Sequence, residues 1–132
     1  MTSRFTELVV DCRDPERLAA FWCEVLGFKV IDRAEGRVEI GSWEPTIEEI
    51  QARQMPPTLQ FIQVPEGRTV KKNPLHLDVS PIDGSTADEV DRLLALGATK
   101  TDVGQGPDVN WQVMEDPEGN VFCVVRSLAP KN

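Results

Sequence analysis

The sequence predicts an α+β fold of two βαβββ modules, which together form a cupped, mostly antiparallel eight-stranded sheet with helices on its convex face. Three observations lead to this prediction. An alternating segment occurs twice, at residues 7–14 and 76–83, a helical pattern ending in Leu-Gly follows each copy, and strand-like segments follow each helix. Because neither copy buries its sheet face alone, the 132 residues are expected to form a single domain, with modules at about 5–66 and 74–127.

The first helix is predicted over Pro15 to Leu26. Asp14 suits the N-cap, Pro15 suits the first helical position, and Gly27 can adopt the left-handed conformation that ends a helix. Apolar residues between these signals recur at helical spacing and form one stripe, which consists of Leu18, Phe21, Trp22, Val25 and Leu26.

The second helix is predicted over Ala87 to Leu96, with Gly97 as its stop. Thr86 and Glu89 have the spacing of a capping box, in which each side chain satisfies the other residue's amide. The apolar stripe of this helix consists of Val90, Leu93 and Leu94.

Strands are expected after each helix, and two strong turn signals separate them: Glu35-Gly36 in the first module and residues 116–120, Asp-Pro-Glu-Gly-Asn, in the second. Residues 43–57 do not fit a strand, and a short helix through Ile47 and Ile50 is expected there. Residues 67–74 form a basic, polar linker. The strands are predicted at 28–32, 37–41, 58–64, 99–103, 111–115 and 121–126.

Composition excludes several classes of function. The chain has 14 Lys and Arg against 22 Asp and Glu, a net charge of −8, so nucleic acid and anionic membranes are poor partners. No apolar run approaches the roughly 20 residues that cross a bilayer, and the start lacks the apolar region of a signal peptide. The three cysteines are an odd number without a Cys-x-x-Cys pair, which favours a reducing, cytoplasmic setting over a disulfide framework.

Alternation along the first strand of each module predicts which side chains line the concave face. The more apolar positions should meet the helices, which leaves Glu7 and His76, the only histidine, directed into the same cavity. In the last strand, Cys123 shares the face of Val121 and Val125. The residues of the two first strands that are expected to face the cavity are Glu7, Val9, Asp11, His76, Asp78 and Ser80.

The sequence resembles the vicinal oxygen chelate superfamily, also called the glyoxalase/bleomycin-resistance/dioxygenase superfamily, over about residues 5–127. The resemblance is closest to the glyoxalase-like proteins of actinobacteria. It implies the paired-module fold, a small-molecule ligand and a homodimer. The segments that carry it are Asp14-Pro15 through Phe21-Trp22 to Leu26-Gly27-Phe28, Leu75-His76-Leu77-Asp78, Leu96-Gly97-Ala98 and the turn at residues 116–120.

Metal-dependent members of that superfamily use four ligands, from the first and fourth strands of both modules. Here the first-strand positions fall on Glu7 and His76, and the fourth-strand position of the second module falls on Cys123 in place of the usual Glu. Matching Phe61 to Phe122 puts the remaining position at Ile62, which cannot bind a metal; a shifted register puts it at Gln60. No cofactor is therefore expected in the isolated protein, and the alternative is a divalent metal (Zn, Fe, Mn or Ni) held by His76 and Glu7.

Two functions remain open. In the first, the cavity binds a small organic molecule, with Asp11, Asp78, Cys123 and a rim residue, Trp111, as contacts. In the second, a metal-dependent lyase, isomerase or dioxygenase acts on a substrate with vicinal oxygens. Glu7 and His76 are the candidate catalytic pair in either case, because a carboxylate beside an imidazole can exchange protons with a ligand. The apolar flanks of Cys123 favour an inert buried thiol over a nucleophile.

Overall fold

The computed structural model describes residues 3, 5–43, 46–52, 56–65, 75–101 and 111–130, without the side chain of residue 50. The chain divides into two compact units, Met1–Thr69 and Val70–Asn132. Each predicted module falls within one unit. The linker at residues 67–74 and the Gly-Gln-Gly-Pro loop at residues 104–107 lie outside the described residues. None of the described helices is long and apolar enough to cross a membrane.

Each unit contains a four-stranded mixed sheet and a long helix, which confirms the predicted βαβββ modules. The elements of unit 1 are β1 (Glu7–Cys12), α1 (Pro15–Leu26), β2 (Lys29–Ala34), β3 (Arg37–Gly41), the short α2 (Ile47–Ala52) and β4 (Thr58–Gln63). Those of unit 2 are β5 (Leu77–Val79), α3 (Thr86–Leu96), β6 (Thr99–Lys100), β7 (Gln112–Glu115) and β8 (Val121–Val124).

The two sheets share one topology. The strand order is β1-β4-β3-β2 in unit 1 and β5-β8-β7-β6 in unit 2, so the first and last strands of each unit are neighbours. These neighbours pair parallel, whereas the other two pairings in each sheet are antiparallel. The parallel pairing places the first strand of each unit at a sheet edge and the last strand inside the sheet.

Helix α1 forms where the sequence predicts it. Asp14 accepts a hydrogen bond from the Arg17 amide at 3.1 Å, and Gly27 ends the helix with φ of 67°, a conformation that favours glycine. The apolar stripe is buried except for the half-buried Leu26, and α1 packs on the sheet through β3 and β4. Alternate residues of these strands fill the core beneath it: Val38, Ile40, Leu59 and Phe61.

The cap of α3 lies one residue before the predicted one. Ser85 is the N-cap, its hydroxyl accepts from the Asp88 amide at 3.0 Å, and Asp88 accepts from the Ser85 amide at 3.2 Å. Thr86 instead turns its hydroxyl to the Val125 carbonyl at 3.0 Å. In the predicted stripe, Val90 and Leu93 are buried and Leu94 is exposed.

The turn between β7 and β8 is organised around Asp116, which is only 4% exposed. Its carboxylate accepts hydrogen bonds from the amides of Glu118 and Asn120, at 2.9 and 3.0 Å, and from the Asn120 side chain. A buried carboxylate is stable only with such partners. The turn therefore fixes where β8 begins, and with it the position of Cys123.

Replacing Asp116 should destabilise the protein. In Asp116→Ala the donors of Glu118 and Asn120 lose a charged acceptor, so we expect the free energy of unfolding in urea to fall by about 2–4 kcal/mol. Asp83→Ala, which removes an exposed carboxylate in the loop before α3, is the matched control and should change stability by less than about 0.5 kcal/mol. Equal stability of the two variants would contradict the role given to Asp116.

The position of the α3 cap can be tested with serine variants. Ser85→Ala removes the acceptor of the Asp88 amide and should cost about 1 kcal/mol in the same unfolding experiment. Ser42→Ala, at an exposed bend of unit 1, should be neutral. Unchanged stability of Ser85→Ala would contradict this assignment and indicate that Thr86 is the N-cap.

Candidate functional site

The face of each sheet turned away from its long helix, here called the polar face, carries the candidate site residues. In a parallel pair, residues opposite each other direct their side chains to the same side of the sheet. Asp78 is opposite Cys123 in the β5–β8 pair, and His76 precedes Asp78 by two residues. The register therefore brings His76, Asp78 and Cys123 to one place on the polar face of unit 2.

The three side chains form a compact group of potential ligands. One donor atom from each, an imidazole nitrogen, a carboxylate oxygen and the thiol sulfur, all lie within 4.8 Å of one another. His76 Nε2 lies 3.1 Å from Asp78 Oδ1, and these two side chains are 44% and 57% exposed. The imidazole nitrogen thus lies beside the carboxylate, and both side chains remain accessible to a ligand.

Cys123 is the buried member of the group, with 8% of its surface exposed. Burial raises the pKa of its thiol, and the negative charge of Asp78 raises that pKa further. The protonated thiol is therefore the resting form at neutral pH, and a thiolate nucleophile is disfavoured.

In unit 1 the equivalent place is occupied by an amide and a carboxylate. The Gln60 side chain donates through Nε2 to Glu7 Oε2 at 2.8 Å, and both residues are half-buried. Val9 is opposite Gln60 in unit 1, and Asp78 is opposite Cys123 in unit 2. Glu7 precedes Val9 by two residues, just as His76 precedes Asp78 by two residues. Gln60 is therefore the counterpart of Cys123, and the match that selects Ile62 is wrong.

A second polar group on this face was missed by the sequence analysis. Thr58 donates through its hydroxyl to Glu39 Oε2 at 2.6 Å, and Arg37 lies 3.7 Å from Glu39 Oε1. Arg37 also donates to Asp32, an interaction that raises the pKa of the guanidinium and lowers the pKa of the Asp32 carboxyl. Arg37 and Glu39 alternate with the buried core residues of β3, and this alternation could have indicated from the sequence that both face away from the core.

The other predicted contacts lie elsewhere in their units. Asp11 is exposed at the end of β1, opposite Ile62. Trp111 is 42% exposed and lines a surface cleft of about 340 Å³ with Gln112 and residues of α3, among them Thr86. Glu7 belongs to unit 1 and His76 to unit 2, and their meeting in one cavity stays a prediction.

The donor set of unit 2 fits a metal ion. Imidazole, thiolate and carboxylate are all established zinc ligands, and three protein ligands leave a position for water or substrate. Tetrahedral coordination at bond lengths of ~2.0–2.3 Å separates ligand atoms by roughly 3.3–3.8 Å, so the observed group needs to contract by about 1 Å. The exposed His76 and Asp78 side chains can provide that movement.

Solved structures with the same fold include several from bacteria. A glyoxalase/bleomycin resistance protein/dioxygenase family enzyme from Burkholderia phytofirmans PsJN is 21% identical, with a TM-score of 0.60, and the match covers 92% of this chain and 97% of that one. A variant of the fosfomycin resistance protein FosX from Listeria monocytogenes, complexed with Mn(II) and 1S,2S-dihydroxypropylphosphonic acid, is 11% identical, with a TM-score of 0.64 and coverage of 96% and 92%.

A third similar structure is protein ATC0852 from Agrobacterium tumefaciens, solved by solution NMR. It is 12% identical, with a TM-score of 0.65, and the match covers 96% of this chain and 98% of that one. No curated protein sequence matches this chain.

The family comparison agrees with the paired modules. The model of the glyoxalase-like domain matches residues 7–125, which span the chain from the start of β1 to the residue after β8. Glu7, Gln60, His76 and Cys123 all lie within the match. The chain therefore belongs to the glyoxalase-like domain family.

Proposed function

We propose that this glyoxalase-like protein binds a small organic molecule bearing hydroxyl or amine groups, and that Glu7 and Gln60 contact it. One observation carries the proposal. A carboxylate such as that of Glu7 can only accept hydrogen bonds, so Gln60 presents its Nε2 to it, and the Oε1 atoms of both residues accept none from the described residues. Two adjacent, half-buried acceptors are suited to a ligand that donates.

The chemistry of the surrounding face supports the same class of ligand. Glu39 already accepts from Thr58 and faces Arg37, so its charge is partly satisfied within the protein. Glu7 has the neutral Gln60 amide as its hydrogen-bond donor, and a half-buried carboxylate gains more from an additional donor than from apolar contact. A cationic amine or a polyhydroxylated compound satisfies it; a hydrocarbon does not.

The likeness to the Listeria protein fits this ligand class, because that structure holds a dihydroxylated phosphonic acid. For this chain we extend the proposal to a single domain that works as a homodimer in the cytoplasm. None of the three cysteines, all of which lie within the described residues, forms a disulfide, which suits a reducing compartment.

Glu7→Gln should weaken ligand binding. A library of small amines, polyols and apolar aromatic compounds is screened by thermal shift, and the dissociation constants of the hits are measured by calorimetry. Loss of a charge-assisted hydrogen bond of about 1.5–3 kcal/mol should raise the dissociation constant roughly tenfold or more.

Glu48→Gln, an exposed carboxylate on α2, provides the matched control and should bind like the wild type. Hits that bind Glu7→Gln as tightly as the wild type, or a set of hits composed only of apolar compounds, would show that the site lies elsewhere.

A separate observation supports a second candidate function. The group formed by His76, Asp78 and Cys123 favours a metal-dependent lyase, isomerase or dioxygenase that acts on a substrate with vicinal oxygens. A metal bound there would supply Lewis-acid polarisation of a substrate oxygen. His76 or Asp78 would orient the substrate, and the Glu7 carboxylate is the candidate proton acceptor of this second proposal.

Metal removal distinguishes the two functions. If the protein acts as a binding module, treatment with EDTA followed by desalting should leave the ligand's dissociation constant unchanged within about twofold, a difference below 0.5 kcal/mol. If a metal ion holds the ligand, the same treatment should abolish binding, and added metal should restore it. The protein is prepared without a histidine tag, since a tag would add ligands to a chain with a single histidine.

A further inference from the structure

A cleft of about 340 Å³, here called the α3 cleft, lies between helix α3 and one end of the sheet in unit 2. Its helical wall comes from the first turns of α3, where residues four apart lie on one side of the helix. The wall consists of two such rows, Thr86 with Val90 and Ala87 with Asp91. Because the Ala87 side chain is only a methyl group, this wall leaves room for a ligand.

The other wall of the α3 cleft belongs to strands β6 and β7. Gln112 is opposite Val124 in the β7–β8 pair, and Val124 follows Cys123, so Gln112 is directed away from the polar face. Lys100 is opposite Met114, which follows Gln112 by two residues and therefore shares its side of the sheet. The α3 cleft thus lies on the side of the sheet that the helix covers, opposite the polar face.

Several groups in the α3 cleft are available to a ligand. Trp111 is 42% exposed and offers a flat indole. The exposed Lys100 and Asp91 form no ion pair with each other or with any other residue that the structure describes. Gln112 donates through Nε2 to the Val113 carbonyl at 2.9 Å, and its Oε1 accepts no hydrogen bond from the described residues. The cleft therefore combines an aromatic surface with a cation, an anion and a neutral acceptor.

We propose that the α3 cleft binds an aromatic zwitterion, a compound with a planar ring, a carboxylate and a protonated amine, as in an aromatic α-amino acid. Trp111 stacks on the ring, Lys100 pairs with the carboxylate, and the amine donates to Asp91 or to Gln112 Oε1. Both ligand charges are required, because Asp91 and a chain of net charge −8 repel a simple anion, and Lys100 repels a simple cation. The cleft volume falls in the range of roughly 300–1,000 Å³ that is typical of small-molecule sites.

The α3 cleft is separate from the site of the proposed function. Glu7 and Gln60, the proposed contacts of the organic ligand, belong to unit 1, whereas the described residues that line the α3 cleft belong to unit 2. The group formed by His76, Asp78 and Cys123 lies on the polar face of unit 2, the other side of the same sheet. Each site can therefore be tested without altering the contacts of the other.

Nuclear magnetic resonance gives a readout that is specific to this cleft. The chain has three tryptophans, each with one indole N–H signal, and Trp111→Phe identifies the signal of Trp111. The nitrogen-15-labelled full chain is titrated with L-phenylalanine, and with three analogues that lack one feature each: phenethylamine without the carboxylate, 3-phenylpropionate without the amine and L-alanine without the ring. We expect a saturable shift of the Trp111 signal with L-phenylalanine, and at least about fivefold weaker binding of every analogue.

Matched variants test the walls of the cleft. Ala87→Leu fills the cleft and should raise the dissociation constant of L-phenylalanine about tenfold or more, whereas Ala95→Leu, at an exposed position of α3 outside the cleft, should not change it. Lys100→Gln should raise it roughly two- to fivefold, as expected for an exposed ion pair, and Lys29→Gln in unit 1 is its control. Circular dichroism and urea unfolding verify that each variant is folded.

The contribution of the indole is measured with Trp111→Ala, in which the backbone amide signal of Gln112 reports binding. Loss of the stacking surface should raise the dissociation constant of L-phenylalanine about tenfold, and Trp111→Phe, which keeps an aromatic ring, should retain most of the affinity. Trp43→Ala, which removes an exposed indole from unit 1, should bind like the wild type.

Three results would overturn the proposal: no saturable shift of the Trp111 signal up to the solubility limit of L-phenylalanine, equal binding of L-phenylalanine and any of the three analogues, or unchanged affinity in the folded Ala87→Leu variant. The screen with Glu7→Gln reports on unit 1 alone. Failure of the α3 cleft and failure of the proposed organic-ligand site therefore give different results.

Discussion

The parallel pairing of the first and last strands in each unit is the constraint on which the candidate sites depend. It joins segments that are 51 residues apart in unit 1, as Glu7 and Thr58 are, and 45 apart in unit 2, as Leu77 and Phe122 are. A slip of one residue in either pairing would turn every side chain of a strand to the other face. The register therefore decides both which residues enter the core beneath the helix and which polar groups meet on the opposite face.

The two units use one backbone arrangement for different chemistry. In unit 1 the equivalent positions hold Glu7 and Gln60, joined by a hydrogen bond of 2.8 Å, and the neighbouring Glu39 is held by Thr58. In unit 2 they hold His76 and Cys123, with Asp78 added where unit 1 has Val9. An internal repeat can in this way keep its hydrophobic pattern, which the fold requires, while the alternate positions on the opposite face diverge.

Local signals made most of the helices and strands predictable from the sequence. The pairing of strands that lie far apart in the chain was not predictable in this way. Helix α1 was placed at its observed bounds because its cap, its stop and its stripe all lie within a short segment. The α3 cap was displaced by one residue because Ser85 and Thr86 are adjacent hydroxyls, each followed three residues later by an acidic side chain. Nothing local distinguishes Gln60 from Ile62 as the partner position, since the choice depends on a strand far away in the chain. Alternation directs Asp78 and Cys123 to one cavity, but only the register shows that the two residues stand directly opposite each other.

The buried carboxylate of Asp116 has a consequence for the order of folding. Its hydrogen bonds reach only two to four residues along the chain, so the β7–β8 hairpin closes over a short loop with little loss of chain entropy. The β5–β8 pairing closes a far longer loop and is expected to form later. During that interval the hairpin presents the inner edge of β8 without its partner strand. The surface that holds Cys123 is therefore completed only at the end of folding, when the strand that follows His76 docks.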